Sequence, residues 1–301
     1  MFEKIIGNSK NKAILEKSIN LNKTSHSYIF WGIEGIGKKL IAKEFAKKIL
    51  CLENQENDCK CKSCIEFETS NNPDFSLIES DEGQIKIEQI REMQRKVAEK
   101  PIISNKKVYI IDNADTMTTE AQNCLLKTLE EPPEYITIIL VCSNEDNLLS
   151  TIKSRCTRIH FEPIEENELK TYIKQNYPEE MISENIINLS QGSIGKVIKL
   201  NEHKSLYDNI EKILLNMQNK DLIDIVQMSE EIYKTKEEIN YILEYMNVLA
   251  LKLSKQNIKY IKCIEIIEET KKRLKANSNY DMCIDNMLFN IFDALTNNSY
   301  L

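Results

Sequence analysis

A glycine-rich segment has the residue types and spacing of a phosphate-binding loop. Gly32, Gly35 and Gly37 precede Lys38, and the segment follows an apolar run and opens a helical pattern. In this context backbone N–H groups and the lysine can face phosphate oxygens. The next residue, Lys39, is a departure, because a Ser or Thr hydroxyl normally contacts Mg²⁺ there and an ammonium repels a cation. A glycine-rich turn without a ligand is the alternative interpretation.

A second candidate for phosphate chemistry is Asp112, which ends the apolar run 108–111. A carboxylate in this place holds Mg²⁺ in phosphoryl-transfer proteins. The following residue is Asn113, whose amide cannot accept a proton from water at neutral pH. Lys39 and Asn113 together predict a loop that does not turn over ATP, and they leave open whether nucleotide still binds. Asp112 as a plain strand cap is the alternative to metal binding.

A cluster of cysteines has the spacing of a metal site. Cys51, Cys59, Cys61 and Cys64 follow one another closely, whereas the other cysteines are scattered. Four thiolates suit a closed, tetrahedral, structural Zn²⁺ site with no coordination position left for catalysis. Cys59 is the least expected of the four ligands, because only Lys60 separates it from Cys61. Free surface cysteines are the alternative interpretation.

The framework for these residues is predicted from short apolar runs that alternate with helical patterns. This order is typical of buried parallel strands in an α/β sheet. The predicted strands are 28–31, 75–78, 108–111 and 136–142. Two helices are predicted from apolar residues four positions apart, Ile41, Phe45 and Ile49 in one and Ala121, Leu125 and Leu129 in the other. Pro132 and Pro133 should end the second helix.

The part of the chain after Gly195 should be helical, because Gly195 is the last glycine and Pro178 the last proline. Apolar residues recur there at helical spacing, which predicts amphipathic helices packed in a bundle. The clearest sets are Leu222, Ile225 and Val226, and Tyr260, Ile261, Ile264 and Ile267. The segment 164–195 is predicted to be a small helical unit between the two halves.

Composition excludes some classes of protein. The chain has 301 residues with 40 Lys+Arg against 47 Asp+Glu, and this acidic balance argues against nucleic-acid binding through the whole surface. A zinc-dependent nucleic-acid-binding module is a weaker alternative, because acidic residues interrupt the lysines near the cysteines. The lysines are Lys47, Lys48, Lys60 and Lys62, and the acidic residues are Glu53, Glu56 and Asp58. The start of the chain lacks a secretory signal, and no apolar run approaches the ~20 residues of a membrane helix. We therefore expect a cytoplasmic protein without membrane contact.

Together these residues resemble a known family, the bacterial clamp-loader subunits of the gamma, tau and delta-prime type, which are AAA+ proteins. The resemblance covers nearly the whole chain and rests on the loop 32–38, the cysteine cluster, Asp112 and two more specific segments. Those segments are Leu125-Leu126-Lys127-Thr128-Leu129-Glu130-Glu131-Pro132-Pro133 and Ser154-Arg155-Cys156.

The resemblance implies a three-part architecture. It comprises an α/β P-loop AAA+ domain over 1–163 with an inserted zinc module at about 51–64, a small helical lid domain over 164–200 and an all-α collar domain over 201–301. In this family the collar holds a five-subunit ring together. Active relatives carry a nucleotide-sensing arginine near the position of Lys196, so that role is not expected of this chain.

The resemblance also implies a role for Arg155. In this family the arginine of the Ser-Arg-Cys motif reaches the γ-phosphate of ATP bound by the neighbouring subunit, and a rigid, always charged guanidinium suits that contact. A surface arginine paired with a carboxylate is the alternative. The departures at Lys39 and Asn113 resemble the delta-prime type, which supplies this arginine finger without being a motor. An active ATPase of the gamma or tau type is the alternative.

The implied function is loading of the sliding clamp of the replicative DNA polymerase, DNA polymerase III, during DNA replication. The implied partners are the gamma/tau and delta subunits in a hetero-pentameric ring, the sliding clamp and primer-template DNA. The implied cofactor is structural Zn²⁺.

Overall fold

The computed structural model of the chain describes residues 2, 5–53, 59–81, 83–177, 182–276 and 278–296. It separates into two compact units. The first comprises Met1–Asn176 with Gly192–Gly195, and the second comprises Tyr177–Gln191 with Lys196–Leu301. The finer division of the chain into three domains stays a prediction.

The first unit is built on a parallel sheet. Its described residues form five strands in the order β2-β3-β4-β1-β5, and every neighbouring pair is parallel. The strands are β1 Ser27–Trp31, β2 Phe75–Ile78, β3 Lys107–Ile111, β4 Ile136–Cys142 and β5 Thr157–His160. The four predicted strands are thereby confirmed. The fifth was not predicted, because only Ile159 of its four residues is buried and no apolar run marks it.

Helices lie against both faces of this sheet. The helices in the described part of the unit are α1 Ser9–Asn20, α2 Lys38–Leu50, α3 Lys62–Glu68, α4 Ile87–Val97, α5 Thr119–Glu130, α6 Ser150–Lys153 and α7 Glu166–Asn176. All of them except α7 contribute residues to the two core clusters on the sheet or pack against these clusters. The two helices predicted after Gly37 and near Thr119 are α2 and α5. The Thr118 hydroxyl caps α5 by accepting a hydrogen bond from the Ala121 N–H, and the helix ends before Pro132.

Alternate residues of β1 show how the two layers of helices are fixed. Phe30 packs in the core cluster that contains Phe45 of α2, whereas Ile29 belongs to the cluster on the other face with Leu125 of α5. All four side chains are completely buried. Burial of a side chain of this size contributes about 1.5–3 kcal/mol each. The helices that carry the candidate site residues are therefore held rigidly against the sheet.

The second unit is helical in its described residues, as the sequence predicts. Its helices are α8 Glu184–Ser190, α9 Ile194–Glu202, α10 Lys204–Asn216, α11 Leu222–Tyr233, α12 Ile239–Ser254, α13 Lys259–Lys275 and α14 Tyr280–Thr296, of which α9 begins at the boundary with the first unit. None of the helices in the described ranges combines the length and the apolar character needed to span a bilayer.

The buried faces of these helices were predicted only in part. On α11, Ile225 is buried, but Leu222 and Val226 are exposed, because the buried stripe continues through Ser229 and Ile232. The Ser229 hydroxyl can lie in this stripe because it donates a hydrogen bond to the Ile225 carbonyl. On α13 the buried face also differs from the predicted one, because Tyr260, Cys263 and Ile267 are buried whereas Ile261 is exposed.

Candidate functional site

The glycine loop leaves the sheet at the carboxyl end of β1. In the sheet, β1 lies between β4 and β5, but the next strand in the chain, β2, lies at the opposite edge. Such a change of direction in strand order marks the carboxyl end where open α/β sheets usually bind ligands. Gly32 is required there, because a Cβ atom would lie 2.3 Å from the Phe161 carbonyl oxygen. Gly37 has a positive φ of 92° and directly precedes α2. The strand, loop and helix of the predicted motif are thus present.

The ammonium of Lys38 contacts the loop itself. Its Nζ atom donates hydrogen bonds to the carbonyl oxygens of Gly32 at 2.6 Å and Ile33 at 2.7 Å, and the side chain is buried. Burial lowers the pKa of Lys38, although the acidic residues nearby oppose this shift. The lysine that would face a phosphate is therefore turned onto main-chain acceptors of its own loop.

Lys39 places a second ammonium between two carboxylates. Its Nζ atom lies 2.8 Å from Asp112 Oδ2 and 2.5 Å from Glu79 Oε1. Partial burial acts to lower the pKa of Lys39, but the hydrogen bonds to these two carboxylates outweigh it and raise the pKa. Asp112, the residue predicted to hold Mg²⁺, is already paired with a cation of the same chain. The residues at this position therefore do not fit a Mg²⁺-bound nucleotide.

The segment after Asp112 is held by a different carboxylate. Asn113 is exposed and has a positive φ of 51°. Two residues later, Asp115 accepts hydrogen bonds from the backbone N–H groups of Ser143 at 3.1 Å and Asn144 at 2.9 Å. Asp115 thus joins the carboxyl ends of β3 and β4, while Asn113 presents an exposed amide directly after Asp112.

Arg155 lies in the turn between α6 and β5. Its backbone is fixed at the amino end of β1, because the buried Ser27 hydroxyl donates to the Arg155 carbonyl at 2.8 Å. The guanidinium Nη2 atom lies 2.7 Å from Glu130 Oε1, and Nη1 donates to the Thr151 carbonyl at 2.9 Å. The side chain is 34% exposed. The structure thus contains an arginine with a fixed backbone and an accessible, carboxylate-paired head group.

The glycine loop and Arg155 are attached to opposite ends of the same strand. The loop follows Trp31, the last residue of β1. The backbone carbonyl of Arg155 accepts a hydrogen bond from Ser27, which lies four residues before Trp31. At roughly 3.3 Å per residue these attachment points are about 13 Å apart. The geometry therefore does not bring Arg155 to the phosphate loop of its own chain.

The four clustered cysteines come together at the end of α2 and the start of α3. Their sulfur atoms all lie within 4.8 Å of one another, and those of Cys51 and Cys59 are 3.6 Å apart. Tetrahedral Zn²⁺ with bonds of about 2.3 Å would place sulfurs about 3.8 Å apart. The N–H of Cys61 points to Cys59 Sγ at 3.5 Å. The donor set and spacing fit a zinc ion bound by Cys51, Cys59, Cys61 and Cys64.

The protonation of these thiols also favours a bound cation. Burial acts to raise the pKa of Cys61, but hydrogen bonds from the backbone N–H groups of Leu52 and Cys64 outweigh it and lower the pKa to about 7. Burial raises the pKa of Cys64, and the neighbouring cysteines add to this effect. Four thiolates in one cluster repel one another, and a coordinated metal supplies the charge that allows all of them to ionise. The connecting residues 54–58 lie outside the described part of the chain.

Two residues at these positions were not predicted from the sequence. Glu79 follows β2 directly, and only the order of the strands brings it beside Asp112 at the end of β3. Glu130 was part of a recognised segment, but nothing in that segment assigned it a partner. Lys196, where the resemblance implies a nucleotide-sensing arginine in active relatives, forms an ion pair with Glu244 at 3.3 Å, and its role stays a prediction.

A family model and the sequence relatives described below both indicate subunits of DNA polymerase III. A family model described as DNA polymerase III, delta subunit, matches residues 7–165 of the chain. The delta' subunit of DNA polymerase III from Bacillus subtilis (strain 168) is 31% identical over 202 residues, which cover 67% of this chain. The gamma subunit from Buchnera aphidicola subsp. Baizongia pistaciae (strain Bp) is 30% identical over 292 residues, which cover 88% of this chain and 78% of that protein.

A solved structure shows the same fold. The gamma subunit-related protein from Thermotoga maritima has a TM-score of 0.50 and 18% identity, and the match covers 93% of this chain and 99% of that one. The chain spans 61% of the length of the Bacillus subtilis relative. Because the family model matches more than half of its residues, the chain belongs to the DNA polymerase III delta subunit family, and its relatives include delta' and gamma subunits.

Proposed function

We propose that the chain is a clamp-loader subunit of the delta-prime type in the replicative DNA polymerase. In this role it does not hydrolyse ATP itself, and it supplies Arg155 to ATP bound by a neighbouring subunit while the sliding clamp is loaded. Its partners are the gamma/tau and delta subunits, the clamp and primer-template DNA. Membership of the family supports the assembly, and two features of the first unit support the division of roles.

The observation that carries the proposal is the ammonium of Lys39 between Asp112 and Glu79. Mg²⁺ placed about 4 Å from this ammonium would meet a repulsion of about 8 kcal/mol at an effective dielectric constant of 20, since a pair of unit charges contributes about 4. To admit the metal, the chain would have to break both ion pairs and move Lys39 away. This argues against a Mg²⁺-dependent hydrolysis site and favours the delta-prime type over an active gamma or tau type.

The position of Arg155 supports action on a neighbour. It lies at the end of β1 opposite to its own loop, and its head group is accessible. Its ion pair with Glu130 is half exposed, and such pairs are worth about 0–1 kcal/mol. An arginine finger on phosphate is worth about 10³ to 10⁵ in rate, or roughly 4–7 kcal/mol in the transition state. The pair with Glu130 is therefore weak beside the transition-state stabilisation that such an arginine supplies.

The cysteine cluster is proposed to hold one structural zinc ion that ties the end of α2 to the start of α3. Metal analysis of the purified chain after metal-replete expression tests this, with one zinc per chain as the expected result. Cys64→Ser should lose the zinc, whereas Cys124→Ser, outside the cluster, should keep it. Protein without zinc above background would remove the zinc site.

Reconstitution tests the proposed function directly. The isolated chain should hydrolyse ATP no faster than background, and a complex with its partner subunits should lose ATPase activity when this chain is left out. Turnover by the isolated chain that Lys38→Ala abolishes would instead favour the gamma type. Direct DNA binding by the isolated chain with steep salt dependence would favour a nucleic-acid-binding module.

A further inference from the structure

Glu130 is the carboxylate that faces the guanidinium of Arg155. Its Oε1 atom lies 2.7 Å from Nη2, while Nη1 donates to the carbonyl of Thr151 at 2.9 Å. The two Nη atoms are thus held by two different elements, the end of α5 and helix α6. An arginine side chain has many rotamers, and two contacts from fixed elements reduce the number it can adopt.

The position of Glu130 is itself fixed. It is the last residue of α5, which is anchored by the buried Leu125 and Leu129 and which stops before Pro132. A carboxylate at a helix C-terminus is unfavourable, because the helix dipole is negative there and prefers a cation. The stability of α5 therefore does not account for an acidic residue at this place, whereas the guanidinium beside it does.

We propose that Glu130 is a positioning residue for Arg155, which keeps the guanidinium extended at the accessible side of the turn until a phosphate of the neighbouring subunit replaces the carboxylate. This inference rests on the proposed function of Arg155 and adds a second residue to it. Glu130 acts only through Arg155 and does not contact the nucleotide.

The exposure of the pair is suited to such an exchange. The side chains of Arg155 and Glu130 are 34% and 50% exposed, so water screens their attraction and the contact can be given up. A phosphate offers more negative charge than one carboxylate and accepts two parallel hydrogen bonds from the guanidinium. Glu130 therefore restricts the conformation of the Arg155 side chain but does not prevent its guanidinium from moving to a phosphate.

The test uses a reconstituted complex in which the neighbour's ATP site is the only active one, so that turnover reports a single interface. Glu130→Ala should lower kcat roughly three- to thirty-fold with the KM for ATP unchanged, because only the ordering of the finger is lost. Glu130→Gln should lose less, since its amide oxygen still accepts a hydrogen bond. Glu131→Ala, which removes the same charge one residue later, should leave kcat unchanged.

A double variant separates positioning from a general structural effect. In an Arg155→Ala background, Glu130→Ala should cause no further loss, because the two residues act as one unit. An equal loss in both backgrounds, an unchanged kcat in Glu130→Ala, or a faster one would overturn the inference and leave the role of Arg155 intact. An unchanged rate in Arg155→Ala alone would overturn the proposed function as well. Unfolding midpoints of all variants should stay close to that of the wild type, because the pair is exposed.

Discussion

The two ends of β1 use positive charge in opposite ways. At the carboxyl end, Lys38 is turned onto loop carbonyls and Lys39 onto two carboxylates. At the amino end, Arg155 has its backbone fixed by Ser27 and its head group at the surface. Both ends carry cations of the kind that bind phosphate. The carboxylates and carbonyls that contact each cation decide which cation remains available to the phosphate of a bound nucleotide.

Burial of the partner explains the difference. The side chain of Asp112 is 13% exposed, whereas that of Glu130 is 50% exposed. A nearly buried carboxylate cannot lose its cation without leaving an uncompensated charge, which costs several kcal/mol. An exposed carboxylate is hydrated when its partner leaves, and the exchange costs little. The proposed function therefore expects the loop to exclude a metal-bound nucleotide and Arg155 to contact one bound by a neighbour.

The largest effect on ATP hydrolysis is expected for Arg155, at the amino end of β1. Arg155→Ala should lower turnover at the neighbouring site by roughly 10³ to 10⁵, while total activity of the complex falls only by the share of that site. Arg155→Lys should restore little, because a point charge cannot replace the planar fork. Single-site turnover of the reconstituted complex measures this. Lys153→Ala, a charge removed from the same turn, serves as the control, and an equal loss there would indicate a general effect of charge.

The phosphate loop at the carboxyl end of β1 should bind nucleotide better when the ammonium of Lys39 is removed. Lys39→Thr replaces the ammonium with a hydroxyl and frees Asp112, so Mg²⁺-dependent binding of ADP should tighten at least about tenfold relative to the wild type. Calorimetric titration with and without Mg²⁺ measures this. Lys39→Met, which removes the charge without adding an oxygen ligand, should gain less. Equal weak binding by the wild type and Lys39→Thr would show that the ammonium is not what closes the loop.

A smaller effect on stability should distinguish an internal ion pair from a metal site at Asp112. Asp112→Asn keeps the side-chain shape but leaves Lys39 with Glu79 alone, and it should destabilise the chain by about 1–2 kcal/mol. Urea unfolding measures the free energy, and Mg²⁺ should not change it in the wild type. Stabilisation of the wild type by Mg²⁺ that disappears in Asp112→Asn would favour metal binding.

The smallest effect concerns pH. The hydrogen bond from Lys39 lowers the pKa of Glu79 in the folded chain, so this pair stabilises the fold above the unfolded-state pKa of about 4.3 and is lost as the pH falls through the folded-state pKa. The stability difference between wild type and Glu79→Gln should stay below about 1 kcal/mol at pH 7, because Glu79 is 58% exposed, and should shrink below pH of about 4. A difference that grows as the pH falls would contradict the ion pair.

The sequence predicted those features that depend on neighbours in the chain. The four apolar strands, the turn into α2 at Gly37, and the end of α5 before Pro132 are confirmed by the fold. Each is decided by residues within a few positions of one another, through backbone conformation or continuous burial. The clustering of the cysteines is similar, since Cys59, Cys61 and Cys64 lie within five positions of one another in the sequence.

Features that depend on strand order or long-range pairing were not predictable in this way. Glu79 meets Lys39 because β2 pairs with β3, and a single sequence does not reveal this order. Glu130 and Arg155 are brought together only when α5 and the turn before β5 pack on the same unit. Strand β5 itself was missed because an edge strand with one buried residue carries no apolar pattern.

The most direct measurement compares Lys38→Ala and Arg155→Ala in the same reconstituted complex. If the proposed function is correct, ATP hydrolysis should stay at the wild-type rate with Lys38→Ala and should fall by the share of one site with Arg155→Ala. Equal incorporation of both variants into the complex is the control. A complex that is insensitive to Arg155→Ala but inactivated by Lys38→Ala would contradict the account and indicate an active ATPase of the gamma type.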